Sequence, residues 1–168
     1  MATSLFNTEV KVLTNASDIV DVFCDESVYE HISDDFAPDR NEYDPTEIML
    51  FDGVYYIGGY CDGELASCVL FHPHNSVLYE IHVAVLPRWR GKVALELINK
   101  SFSWIFKNTD CVKVIANIPS TNAKAITLAK MVGMNVEGNN VDSYLKNGVL
   151  LDLIMFGIRK GELTCLQQ

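Results

Sequence analysis

The feature that most narrows the fold is a change of pattern partway along the chain. Up to residue 85 it reads mainly as strands joined by tight turns, and from residue 94 it alternates helix and strand. The spacing predicts strands over 48–51, 54–60, 64–71 and 77–85. Asp52-Gly53 and Asp62-Gly63 separate the first three, and glycine at such points accepts the positive φ of a hairpin turn. Pro73-His74-Asn75 makes the next turn. Further on, Ala94, Leu97, Ile98, Ser101 and Ile105 share one face of a helix over 94–107. Residues 112–118 are almost continuously apolar, which predicts a strand buried on both faces. A second helix over 121–132 aligns Ala125, Leu128, Ala129 and Val132, with Gly133 placed to end it, and 149–158 is a last strand. Before all of these come a weak strand over 9–13 and a helix capped by Asn15, with Asp18 three residues on and Ile19, Val20 and Phe23 at helical spacing. A short helical piece carries Val28 and Ile32. Residues 33–47 are acidic and hold two prolines; they read as a loop with at most a short helix, either touching substrate or merely connecting. The whole is a mixed α/β (α+β) chain, a twisted sheet with helices on both faces, and its 168 residues suit one domain spanning 1–168.

Charge and cysteine use exclude several functions. Lysine and arginine total 13 against 22 acidic residues, a net charge of −9, which argues against a nucleic-acid partner because phosphate backbones need clustered basic groups. The same charge suits a cationic substrate. No apolar run approaches the roughly 20 residues that span a bilayer, so no membrane partner is expected. Met1 to Phe6 lacks the basic and apolar regions of a secretory signal. The five cysteines, Cys24, Cys61, Cys68, Cys111 and Cys165, are odd in number and irregular in spacing. They read as reduced thiols of a cytoplasmic protein, with Cys165 near the end exposed, and no Cys/His spacing predicts a metal. A phosphate-binding loop of the G-x-x-x-x-G-K-[ST] type is absent.

The most informative segment runs Glu80-Ile81-His82-Val83-Ala84-Val85-Leu86-Pro87-Arg88-Trp89-Arg90-Gly91-Lys92-Val93-Ala94-Leu95-Glu96-Leu97. A strand ends near a proline, a short basic loop with one glycine follows, and a helix starts at once. The first amides of a helix lack internal partners and its dipole favours an anion there. A glycine lets the backbone approach a phosphate closely. The alternative is an ordinary strand-to-helix connection with solvated arginines.

Val85-Leu86-Pro87-Arg88-Trp89-Arg90-Gly91-Lys92 resembles the strand end and coenzyme A loop of the GNAT acetyltransferase superfamily, V-x-P-x-x-R-G-x-G. Glu80-Ile81, Pro87, Gly91, Ala94 and Glu96 match in order a similar motif of the branch that acetylates ribosomal-protein N-termini. Downstream, Asn122, Ala125 and Leu128, then Gly133-Met134, Glu137-Gly138, Asn147-Gly148 and Asp152, follow that branch's order. The likeness covers about residues 76–160. Two departures stand out: the family's second loop glycine is missing between Lys92 and Val93, and Ala129 replaces a tyrosine that often protonates the departing thiolate.

The resemblance implies a sheet of six to seven strands with one splayed pair, and acetyl-coenzyme A as co-substrate. It implies direct attack by an amine of a protein N-terminus, a lysine or a small molecule. Val83, Ala84 and Val85 would line the acetyl-pantetheine arm, Arg90, Gly91, Lys92, Val93 and Ala94 would hold the diphosphate, and Asn122 would contact the coenzyme or a water. Glu80 is the first candidate base, as a partly buried carboxylate of raised pKa, with His82 beside it on one strand face. Tyr79 points to the other face and becomes the candidate only if that face lines the cleft. A structural Glu80–His82 pair is the alternative, and His72 and His74 read as exposed residues flanking a turn. Trp89 either covers the adenine or packs on the loop, and Asp152 supports strand pairing. The competing function is a catalytically inactive binding protein on the same scaffold, as in small bacteriophage relatives serving virion assembly or host-protein capture. A homodimer is an assembly that either reading allows.

Overall fold

The computed structural model describes residues 6–44, 48 and 50–163. One seven-stranded sheet forms the centre, in the order β1-β2-β3-β4-β5-β7-β6. In chain order the elements are β1 (Thr8–Val12), α1 (Ala16–Phe23), α2 (Glu26–Ile32), β2 (Tyr55–Cys61), β3 (Glu64–Pro73), β4 (Leu78–Val85), α3 (Lys92–Asn108), β5 (Lys113–Pro119), α4 (Ala123–Met131), β6 (Asn135–Lys146) and β7 (Val149–Arg159). Every neighbouring pair is antiparallel except β4 and β5, which run parallel with α3 as their crossover.

Helices cover both faces, as the alternation of side chains along each strand requires. On one face Ile98, Phe102, Ile105 and Phe106 of α3, with Ala129 of α4, pack on Ile57, Val69, Phe71, Ile81, Val114 and Phe156. On the other, Ile19 and Val22 of α1 and Val28 of α2 pack with Leu13, Cys68 and Ala84. The close approach of α3 to β2 needs a missing side chain. A Cβ at Gly59 would lie 2.3 Å from the Ser67 hydroxyl and 3.0 Å from Leu97.

Local capping follows the expected chemistry. The Asn15 side chain accepts from the Ser17 amide at 3.0 Å to start α1. Asp62 and Gly63 take φ of 51° and 86° in the two-residue turn between β2 and β3. The acidic run after α2 is engaged largely in building its own turns. Asp34 accepts from the Phe36 and Ala37 amides, and Asp39 caps a 3-10 turn, Arg40–Glu42. Asp35 reaches across to accept from the Asn147 and Gly148 amides at 2.7 Å each.

Two expectations fail. Residues 48, 50 and 51 form no strand, although Asp52-Gly53 does turn, with Val54 N–H donating to the Phe51 carbonyl. Residues 135–146, a polar stretch with no strand expected, form the long edge strand β6. Within it, residues 141–143 bulge out opposite Asp152, whose carboxylate accepts from Asn139 Nδ2 at 2.8 Å and the Asp142 amide at 3.0 Å. Those bonds hold the Asp152 carboxyl below its usual range, and Asp152 serves strand pairing as expected. Cys61, Cys68 and Cys111 are buried free thiols and Cys24 is half-buried; Cys165 lies outside the described residues. No described helix is long and apolar enough to cross a membrane.

Candidate active site

The site begins where β4 leaves β5. The two strands pair only over Leu78–Lys113, Tyr79–Val114 and Glu80–Ile115. Beyond that point β4 stays paired to β3 as far as Val85, and β5 stays paired to β7 as far as Pro119. A gap therefore opens between the C-terminal halves of β4 and β5. The Leu86 amide donates to the Ala66 carbonyl of the β3 side. Strand amides alternate in direction, so Ala84 and His82 also point to β3, while Val83 and Val85 direct their N–H groups into the gap.

The loop beyond β4 brings a helix end to that gap. Pro87–Trp89 forms a 3-10 turn, and Gly91 is the N-cap of α3 with φ 89° and ψ −130°. This backbone favours glycine, and a Cβ there would meet nothing within 4 Å. No side chain caps α3, and the Leu95 amide, donating to the Gly91 carbonyl, makes the first helical bond. The amides of residues 92–94 thus have no acceptor within the helix.

The missing second glycine is absorbed without blocking this end. Val93 turns its branched side chain inward and is buried with Cys61, Ala66, Val85, Trp89, Ala94 and Leu97. Trp89 packs in that cluster, and the Arg88 guanidinium lies 4.4 Å from its ring centre while pairing with Glu64 at 2.8 Å. Arg90 has other partners than an anion. Its amide donates to the Pro87 carbonyl, and its guanidinium donates to the Ser27 carbonyl of α2 at 3.0 Å. Lys92 is exposed at the helix start. Glu96 pairs with Lys100 at 3.1 Å and accepts from the Thr8 hydroxyl, so it fastens β1 to α3.

Asn122 stands at the far side of the gap, just past β5. Its side-chain oxygen accepts from the Ala125 amide at 3.1 Å and so caps α4. A cleft of about 280 Å³ opens beside it, lined among others by Glu30, His31, Pro119, Asn122, Tyr144 and Lys146. The Tyr144 hydroxyl donates to the Ser33 carbonyl at 2.8 Å, and Lys146 donates to the same carbonyl at 2.6 Å, which docks β6 on the end of α2.

Glu80 and His82 share the α1/α2 face of β4, as the two-residue period requires. Tyr79 lies on the opposite face, buried in the core beside Tyr55, which removes it as an alternative to the other two. The expected raised pKa of Glu80 is also corrected. Burial pushes the carboxyl up, but hydrogen bonds from Asn117 (3.0 Å) and His74 (2.9 Å) and the nearby imidazoles outweigh it, and the net shift is downward. His82 is shifted down as well, because crowding desolvates its ring more than Glu80 stabilises the charge. Register places His72 directly opposite Glu80, and its Nε2 lies 3.0 Å from His82 Nε2. Asn117, His72 and His74 are thus members of a cluster that the sequence reading did not assemble. Only the pairing of β4 with β3 on one side and β5 on the other unites them.

A seven-stranded mixed sheet with one parted parallel pair, next to a helix opened by a glycine, is the GNAT acetyltransferase fold. The spermidine N-acetyltransferase of Vibrio cholerae, solved with CoA and spermine, matches with a TM-score of 0.76 at 17% identity over 96% of this chain and 99% of that one. A chimera of the Vibrio cholerae enzyme with hSSAT matches at 0.78 and 16% identity, over 94% and 98%. The chain itself belongs to the family described as "Protein of unknown function (DUF2824)", whose model matches residues 10–168. No curated protein matches the sequence.

Proposed function

We propose that the chain is an N-acetyltransferase that takes acetyl-coenzyme A as acyl donor and an amine as acceptor. The observation that carries this reading is the parting of β4 from β5 after Glu80, beside a helix whose first amides are uncapped. The residues present fit the coenzyme. Gly91 leaves open space where any side chain would protrude, and three adjacent amides lack helical acceptors. In this reading the amides of Lys92, Val93 and Ala94 hold the diphosphate, with the Lys92 ammonium as added charge. Arg90 acts one step back, tying the loop to α2.

Bound acetyl-coenzyme A would supply an activated acyl group along the gap. In this reading the N–H groups of Val83 and Val85, which point into the gap, would polarise its carbonyl. Glu80 and His82, at the mouth of the gap, would take the proton that the attacking ammonium must lose, with Asn117 fixing the Glu80 carboxylate. The spermine in the Vibrio cholerae neighbour and the −9 charge of this chain support a small cationic amine over a protein N-terminus or lysine as acceptor.

The test is a thermal shift with acetyl-coenzyme A. A ligand at 100 times its Kd stabilises the fold by about 2.7 kcal/mol. That shift should appear for the parent chain and vanish in Gly91→Glu, whose carboxylate repels a diphosphate. No shift at millimolar concentration overturns the reading. An inactive binding protein on the same scaffold is the second reading, favoured by Ala129, which is buried where the family's tyrosine would stand. Acetyl-coenzyme A binding without transfer to any of a panel of polyamines, lysine peptides and N-terminal peptides would select it.

A further inference from the structure

Three of the chain's four histidines meet at one carboxylate. One ring nitrogen of each of His72 and His74 and a Glu80 oxygen all lie within 4.8 Å of one another. His74 Nε2 is 2.9 Å and His72 Nε2 is 3.7 Å from Glu80 Oε2. His82 Nε2 is 3.0 Å from His72 Nε2 and 4.0 Å from Glu80 Oε1. The rings of His74 and His82 flank that of His72 in loose stacks, at centroid distances of 5.4 and 5.1 Å.

We infer that His72, His74 and Glu80 form a three-ligand binding site for a divalent transition-metal ion of the zinc class, with a fourth position left to solvent or substrate. Four donors around zinc at about 2.0–2.1 Å stand about 3.3 Å apart at the corners of a tetrahedron. His74 Nε2 and His72 Nε2 stand 2.9 and 3.7 Å from Glu80 Oε2, which brackets that edge. The donor set is chemically suited: imidazole nitrogens favour zinc, nickel and copper, whereas magnesium and calcium take oxygen ligands. A supporting shell exists too, since Asn117 Nδ2 donates to Glu80 Oε1 and leaves Oε2 for the ion. The scaffold is rigid where it matters. His72, Glu80 and His82 project from the paired strands β3 and β4, and Asn75 holds the turn after His74 by accepting from the Val77 and Leu78 amides. If the transferase reading holds, an ion here occupies the Glu80 carboxylate that would accept the substrate proton.

The experiment reads the metal and not the activity, so it stands apart from that reading. Metal-stripped full-length chain is titrated with Zn²⁺ by calorimetry and with Co²⁺ by visible absorption. One saturable equivalent is expected, with the intense bands of tetrahedral Co²⁺ and no thiolate charge-transfer band. His72→Ala and His74→Ala should each weaken binding at least about tenfold, and Asn117→Ala should weaken it by about 10–100-fold. His31→Asn and Cys24→Ser should leave it unchanged. The substituted side chains at 72 and 74 are at the surface, and circular dichroism checks that the variants fold. Absence of saturable binding, binding that survives both His72→Ala and His74→Ala, or a thiolate band would each overturn the assignment.

Discussion

Strand β5 has two edges with opposite fates. Against β7 it pairs without interruption from Lys113–Arg159 to Pro119–Leu153, and against β4 it pairs at three positions and then parts. The same seven residues serve both edges, so the gap does not arise from any inability of β5 to pair. The closed edge is backed by continuous core: Phe156 and Ile158 of β7 are fully buried with Val114 and Ala116 of β5. The open edge has no neighbouring strand beyond Ile115. Under the proposed function, the contrast divides stability and ligand capture between the two sides of one strand, with main-chain groups on the capture side. That explains why the lost second glycine leaves the helix end open, since only side-chain direction at Val93 had to change.

The comparison can be broken most severely on its closed side. Phe156→Ala should cost about 3–5 kcal/mol of stability, read from chemical denaturation, because a fully buried ring is lost at the β5–β7 seam. On the open side, Val83→Pro removes an N–H that no strand uses. Transfer rate should fall about 10²–10³-fold, the loss expected for one polarising donor, while circular dichroism stays that of the parent. At the rim of the gap, Asn122→Ala should cost about 1 kcal/mol through the lost cap, and Asn122→Asp should restore it. The smallest effect is expected at Asp35. Amides of Gly148 and Asn147 hold its carboxyl below the usual range, so its contribution is present above the unfolded pKa and is lost as pH falls through the folded one. Asp35→Asn should therefore melt below the parent at neutral pH, with the difference shrinking as pH falls through the folded pKa of Asp35.

Legibility in the sequence followed the range of the interactions. Asn15 and Asp62-Gly63 act within a few residues, and each did what its local chemistry predicts. Asp52-Gly53 turned without joining two strands, because a turn signal says nothing about whether its flanks find partners. β6 hid behind its polarity. It is an edge strand, mostly exposed, and its pairing with β7 overrides a composition of Asn, Asp, Glu and Gly. The available signal was Asn147-Gly148, both at positive φ in the two-residue turn between β6 and β7. At the site, the proposed coenzyme loop was readable because strand end, glycine and helix start are consecutive. The Arg90 contact with the Ser27 carbonyl was not legible because the two residues lie 63 positions apart. The direction of the Glu80 pKa shift was misjudged because Asn117, 37 residues on, supplies a bond that helps outweigh burial.

By itself the sequence determined the order of the strands and helices in outline, the face that each side chain of β4 takes, and the glycine at the start of α3. These depend on periods of 2 and 3.6 and on the φ a residue tolerates, all of which are local. Only the tertiary structure decided where β4 and β5 part and which donors meet around Glu80. Those outcomes depend on register between strands distant in the chain, and no local preference encodes a register.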